Sequence, residues 1–185
     1  MNWINKISKL IIGISLTVSY CYSEEFETVK MGDIAPTFFL RTIDGEGFFL
    51  SKQLGSKGSI VLAFYATWCV PCRSEIPALE KLMVDTALAD IRLYYVNIGG
   101  LLAAENGGEV TIQKEEIGKV LKHKEHFKMT HPILRDRFAV VAKKFGAESL
   151  PTIVVIGSDG IIKYIHRGYS PGDELTLKSA LVLSD

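Results

Sequence analysis

Cysteine is scarce in this chain: 185 residues carry three, at positions 21, 69 and 72. A disulfide scaffold needs several pairs in a small, loop-rich chain, so that class is excluded. A structural zinc site needs four ligands, and Cys69 and Cys72 would have to recruit two more. The nearest candidates, His123 and His126, stand in a later lysine-rich stretch and read as part of a solvated face. Net charge is missing too. Lysine plus arginine and aspartate plus glutamate balance at 21 each, which leaves no electrostatic footprint for nucleic acid or for an anionic membrane surface. Nucleic acid is therefore not expected as a partner. Internal repeats and low-complexity tracts are absent as well. What remains, 48% hydrophobic and 23% charged residues, is the composition of one ordinary globular domain with a full core.

The first 23 residues read as a secretory signal, which leaves 24–185 as the domain. Lys6 and Lys9 precede an apolar run at 10–18, and small residues follow at Ser19, Cys21 and Ser23. That is the order of a signal peptide's three regions. The run has about half the length of a membrane span, which takes roughly 20 residues. Cleavage is expected after Ser23 or Cys21; the competing reading keeps residues 10–20 as a membrane anchor. A lipoprotein reading of Cys21 is disfavoured by the bulky Tyr20 before it. Export to the periplasm or another outer compartment leaves Cys69 and Cys72 as the cysteines of the mature domain.

Residues 38–40 and 48–50 are short apolar runs around Asp44-Gly45 and Gly47, which predicts a hairpin. Residues 60–66 form a continuous run rich in β-formers, suited to a central strand buried on both faces. From Pro71 onward, Ile76, Leu79, Leu82 and Met83 recur at helical spacing, with Glu75, Glu80 and Asp85 assigned to the other face. Pro77 lies inside that pattern and should kink the helix. Residues 91–98 read as the next strand, giving a βαβ unit with a parallel sheet. A glycine-rich loop follows at 99–110. Thr111 is expected to cap a helix reaching about Phe127, and 138–146 to form a short helix ended by Gly146. Apolar runs at 153–156 and 161–165 flank Ser158-Asp159-Gly160, a second hairpin signal. Residues 173–183 close the chain as a helix. The sum is an α/β domain, a mixed sheet with helices on both faces.

A bond between Cys69 and Cys72 closes a very small loop, worth only about 2 kcal/mol by chain entropy. A domain of this size hardly requires it. Position says more, because the pair ends a buried strand and opens a helix. Unpaired backbone N–H groups and the positive end of the helix dipole stabilise a thiolate there, and the thiolate is the nucleophile. One turn later, Cys72 is within reach to attack a mixed disulfide. Pro71 suits the first helical turn, where its missing N–H costs nothing. Cys69 is thus expected as the exposed attacker and Cys72 as the buried resolver. A C-x-x-C beside a βαβ pattern reads as a thioredoxin-like redox motif.

The segment "VLAFYATWCVPCRSEIPALEKL" (61–82) resembles the active-site segment of thioredoxin-fold proteins. The resemblance is closest to the exported TlpA/ResA-like branch of the redoxin (AhpC/TSA) superfamily, which includes reductants of cytochrome c maturation. Residues 31–69 are similar to that branch's N-terminal hairpin region. Pro77, five residues after Cys72, matches the fold's helix-kinking proline. "FGAESLPTIVVIGSDGIIKYIHRG" (145–168) is similar to its later half, with Leu150-Pro151-Thr152 at the place of the family's cis-proline. The similarity covers about residues 29–170.

This resemblance implies a thioredoxin fold with a central mixed β-sheet, flanking helices and an N-terminal β-hairpin extension. It implies disulfide exchange with protein clients through Cys69 and Cys72, with no cofactor beyond that redox-active disulfide and no metal. Pro151 would be cis and lie against the sulfurs, and the backbone of Leu150 would offer edge hydrogen bonds to an extended client. Trp68 would be a flat surface beside the sulfur, a role that suits an interface aromatic. The partners implied are proteins with disulfides, apocytochrome c among them, and a membrane thiol reductase as electron donor. The direction implied is that of a reductant.

Two positions depart from the relatives. Ala63 stands where thioredoxins bury an aspartate, and Val70 follows the first cysteine where this branch often has a charged residue or proline. Both changes remove groups that tune proton transfer and thiolate stability, so the redox potential does not carry over. Arg73 and Glu75 read as solvated helix residues. Peroxiredoxins place a threonine three residues, and a proline seven residues, before the reactive cysteine; Ala66 and Leu62 stand there, which disfavours peroxidase chemistry. A copper-handling relative would want C-x-x-x-C with a distal histidine; His131 and His166 exist, but the cysteine spacing is wrong. A non-enzymatic reading also stands, in which the domain holds a client through the cis-proline groove and uses its disulfide as a conformational signal.

Overall fold

The computed structural model describes residues 28–56, 58–99 and 116–183. The signal or anchor segment at 1–23, residues 100–110 of the glycine-rich loop, and Thr111 lie outside the described residues. Phe39–Thr42 and Gly47–Phe49 form β1 and β2, the antiparallel hairpin expected around Asp44-Gly45. Gly45 turns it at φ +93°, a conformation that costs other residues strain. Alternation along the strands buries Phe38 and Phe48 and leaves Phe39 and Phe49 outside, with ring centroids 4.4 Å apart. A short helix, α1 (Leu50–Gln53), follows.

Ile60–Tyr65 forms β3 and is buried at every position, as an unbroken apolar run requires when both faces are covered. The remaining strands are β4 (Arg92–Ile98), β5 (Ile133–Asp136), β6 (Thr152–Ile156) and β7 (Ile162–Arg167). The sheet order is β2-β1-β5-β4-β3-β6-β7. Strands β3, β4 and β5 run parallel, while β1, β6 and β7 pair antiparallel with their neighbours. Strand β5 was not expected from the sequence. It joins the hairpin to the rest of the sheet through the pairs Arg41–Arg135 and Thr42–Leu134.

Helices α2 (Cys72–Leu82), α3 (Ile117–His126), α4 (Val140–Lys144) and α5 (Asp173–Leu183) cover the two faces. Neighbouring residues of β3 point to opposite sides, and their contacts show which helix lies where. Tyr65 stacks on His123 of α3 at 5.6 Å and meets Tyr95 edge-on at 5.8 Å, with α2 and α5 packed together. Phe64 meets Phe145, at the end of α4, on the other side. His123 is therefore buried and not, as expected, on a solvated face. It follows Val120 by three residues and precedes Phe127 by four, within the apolar stripe of α3. Helix α3 starts at Ile117, later than Thr111 would set it. Among the described residues no helix is long and apolar enough to cross a membrane.

Helix α4 is also shorter than expected. Ala139 precedes it at φ +53°, and Phe138 is exposed. Asp136, buried at the end of β5, sets this junction by accepting hydrogen bonds from the N–H groups of Val140 (3.0 Å) and Ala142 (2.7 Å). Asp136→Ala leaves two backbone donors unpaired at a helix start and should lower the unfolding free energy by about 2 kcal/mol. Urea unfolding checks this; an unchanged midpoint would contradict the capping role.

Candidate active site

Strand β3 leads directly into the turn that carries the cysteines. The Cys69 N–H donates to the Ala66 carbonyl at 3.1 Å, and the Arg73 N–H to the Val70 carbonyl at 3.1 Å. Pro71 already has helical dihedrals, φ −66° and ψ −26°, and stands at the N-cap of α2. Its fixed φ and missing donor suit that position. Its carbonyl accepts from the N–H groups of both Ser74 and Glu75. Cys69 and Cys72 are joined by a disulfide with Cα atoms 5.4 Å apart. The Cys72 N–H points at the Cys69 sulfur, 3.2 Å away. A donor in that position favours negative charge on Cys69 when the bond is opened.

Both cysteines are buried, Cys69 at 4% exposure and Cys72 at 0%. Cys69 is thus not the exposed group expected. In the disulfide its sulfur is turned inward, toward Cys72 and the first N–H of the helix. Trp68 (49%) and Val70 (69%) flank it and stand out to solvent. Pro77 lies on the solvent side of α2, which runs through it from Cys72 to Leu82.

The Leu150–Pro151 bond is cis, as the resemblance implies. Thr152 pairs with Phe64, so Pro151 stands just past that pair, at the end of β3 from which the chain leaves for Cys69. Leu150 is half-buried and Pro151 buried. The Pro151 carbonyl accepts from the Gly168 N–H at 2.7 Å. The Thr152 hydroxyl donates to the Ser149 carbonyl at 2.7 Å. Those bonds fix the loop on both sides of the proline.

Glu75 is the residue that reading the sequence missed. It is not solvated: it is 2% exposed, and its Oε1 has no hydrogen-bond partner. Burial, with the negative charge of Asp173 adding to it, pushes its carboxyl up to about 8. Tyr164, His166, Tyr169 and Asp173 share a cavity with it. Asp173 itself is held by His166 Nε2 at 3.0 Å and the Ser170 N–H at 2.6 Å. The signal was available, because Glu75 lies three residues after Cys72 and four before Leu79, inside the apolar stripe of α2. Glu80, on the same helix, shows the opposite balance. Partial burial raises its carboxyl, but bonds from Thr130 and contact with His131 outweigh that and hold it down at about 2. Ala63, where thioredoxins carry an aspartate, is buried and paired with Tyr95 and Ile153. Glu75 thus supplies a buried carboxyl in the first turn of α2, three residues after Cys72, in a cavity that neither cysteine lines.

A disulfide beside a helix N-terminus, with a buried carboxyl that can gain or lose a proton near neutrality, is equipped for thiol exchange coupled to proton transfer. Among the described residues no group of three or more His, Cys, Asp or Glu side chains is arranged to hold a metal ion.

Comparison with known proteins points the same way. The AhpC/TSA family matches residues 31–165. Thioredoxin-like protein YneN of Bacillus subtilis is 31% identical over 157 residues, covering 85% of this chain and 83% of that protein. Thiol-disulfide oxidoreductase ResA of Geobacillus thermodenitrificans is 31% identical over 159 residues, covering 86% and 82%. Among solved structures, StoA from Bacillus subtilis superposes with a TM-score of 0.60 at 22% identity, over 80% of this chain and 97% of that one. A thiol:disulfide interchange protein of the thioredoxin family from Chlorobium tepidum superposes with a TM-score of 0.62 at 19% identity, over 85% and 99%. These two likenesses establish the thioredoxin fold. The chain belongs to the AhpC/TSA family and, within it, to the thiol-disulfide oxidoreductases represented by ResA.

Proposed function

We propose that this protein is an exported reductant that exchanges disulfides with protein clients through Cys69 and Cys72. The observation that carries the reading is the Cys69–Cys72 disulfide, set between β3 and the N-terminus of α2 with the Cys72 N–H on the Cys69 sulfur. In the reduced protein the Cys69 thiolate attacks one sulfur of a client disulfide. An S–S bond forms between Cys69 and the client, and the client's other sulfur leaves as a thiolate that takes up a proton. The Cys72 thiol gives its proton to Glu75 and attacks the Cys69 sulfur. The intramolecular disulfide forms, and the client leaves with both sulfurs reduced. Two electrons pass from the protein's dithiol to the client. No cofactor beyond the dithiol enters this scheme.

Trp68, Leu150 and Pro151 form the surface on which an extended client docks, with Val70, Pro71 and Pro77 shaping the turn and helix behind it. Apocytochrome c is the client that the branch resemblance favours, and a membrane thiol reductase the donor that restores the dithiol. Export rests on the signal-like order of residues 1–23. Insulin reduction in the presence of dithiothreitol tests the activity, and a redox titration of Cys69–Cys72 tests the direction. Catalysed precipitation with a low potential is expected. A normally titrating dithiol without turnover would favour the binding reading, and a potential as high as about −120 mV would make the protein an oxidant.

A further inference from the structure

A second surface adjoins the dithiol. Thr67 and Arg73, from the two ends of the active-site turn, line one groove with Lys119, Lys122, His126 and Phe127. The α3 residues of this set are spaced so that they share one helix face. Arg73, Lys119, Lys122 and His126 are exposed. The Arg73 guanidinium reaches the Thr67 carbonyl at 3.5 Å. Among the described residues neither Arg73, Lys119 nor Lys122 takes part in an ion pair. The two described acids of this helix region, Glu116 and Glu125, do not line the groove. Among the described residues, the groove beside the reactive pair is thus lined by cations and by no acid.

We propose that this groove receives an acidic segment of the client polypeptide, next to the client cysteine under attack. The inference rests on the exchange reading and adds a substrate class to it. Arg73 follows Cys72 and Thr67 lies two residues before Cys69, so a client strand reaching the sulfur from the α3 side passes over these cations. Carboxylates in that stretch are attracted to the groove and lysines repelled. Such complementarity acts mainly on encounter and on choice of partner, and it weakens as salt shortens the screening length.

The test uses three peptides with the same disulfide-bonded Cys-x-x-Cys core, flanked by aspartate and glutamate, by serine, or by lysine. Reduction by the full-length protein is followed with dithiothreitol as donor. The acidic peptide is expected to have a kcat/KM at least tenfold above the lysine-flanked one at low salt, with the gap closing in 1 M NaCl. Lys119→Glu combined with Lys122→Glu should lower the ratio of acidic to serine-flanked rates at least tenfold. If that variant does not fold, the salt dependence of the wild-type ratio decides, and a ratio indifferent to salt overturns the proposal. Equal turnover of all three peptides by the wild type overturns the groove assignment alone. Turnover of none overturns the exchange reading and this inference with it. Oxidised glutathione reduced faster than the acidic peptide, and losing more to the charge reversal, would overturn the polypeptide assignment.

Discussion

Glu75→Gln is expected to make the protein more stable and slower at pH 8. An acid raised from 4.5 to about 8 by burial and by the charge of Asp173 keeps its proton in the folded chain after the unfolded chain has released it. Between pH 4.5 and about 8 the folded state binds more protons, so stability falls as pH rises through that window and levels off above it. The penalty at the top of the window is on the order of 4 kcal/mol. Glutamine keeps the volume and removes the ionisation, though it buries an amide with incomplete hydrogen bonding, so the expected gain at pH 8 is about 2 kcal/mol. Near pH 4, where the natural acid is protonated, only the cost of the amide remains, and the variant should be less stable by about 2 kcal/mol. A difference that does not change with pH, or a variant less stable at pH 8, would contradict the assignment.

The same substitution should slow resolution. If Glu75 takes the proton from Cys72, its loss removes general-base assistance, on the order of 10²-fold. The effect should be largest at and above pH 8, where the carboxyl of the natural protein is ionised, and small at pH 6. Release of client from a preformed mixed disulfide, followed by rapid quench against pH, reads this step. A parallel drop at all pH values would mark a packing defect instead. The pairing of greater stability with lower rate fits an active site that keeps a costly buried group for its chemistry.

The second large effect comes from the cysteines. Cys69→Ser removes the attacking sulfur and should lower insulin reduction by about 10³-fold or more, since no other side chain in the turn supplies a thiolate. Cys72→Ser should lose turnover to a similar extent but for a different reason: the first attack still occurs and the product stays bound. The kinetic signature is one client captured per chain, with no second cycle. A Cys72→Ser protein that turns over normally with dithiothreitol would show that resolution does not need the second cysteine.

Much of the fold was legible because its signals are periodic. The unbroken apolar run before Trp68 can be only a strand covered on both faces or a buried helix segment, and its length and β-branched residues favour the strand. The Asp-Gly turns at 44–45 and 159–160 sit between the strands they join. β5 could not be read this way. It has four residues after Pro132 and is a strand because β4 and β1 lie on either side of it, which is tertiary information. Helix α4 began later than expected because Asp136 caps it from within the sheet.

At the site, the cysteines and the cis-proline segment stood out as motifs, whereas Glu75 and His123 did not. Each was judged by its polarity, yet each occupies an apolar-stripe position of its helix, and the position decided its burial. The burial of Cys69 was missed for another reason. Exposure was inferred for a free thiol, and in the disulfide the sulfur turns toward the N–H of Cys72. The cationic groove was out of reach as well, because it assembles Arg73 with α3 residues from far along the chain.

The most direct test of the account is to identify which sulfur meets the client. Cys72→Ser and Cys69→Ser proteins, reduced and then mixed with a disulfide-bonded client, are quenched with acid and mapped by mass spectrometry without reduction. The account predicts a client cysteine joined to Cys69 in the first protein and little or no conjugate in the second. Conjugates on Cys72 in the Cys69→Ser protein, with none on Cys69 in its counterpart, would contradict it.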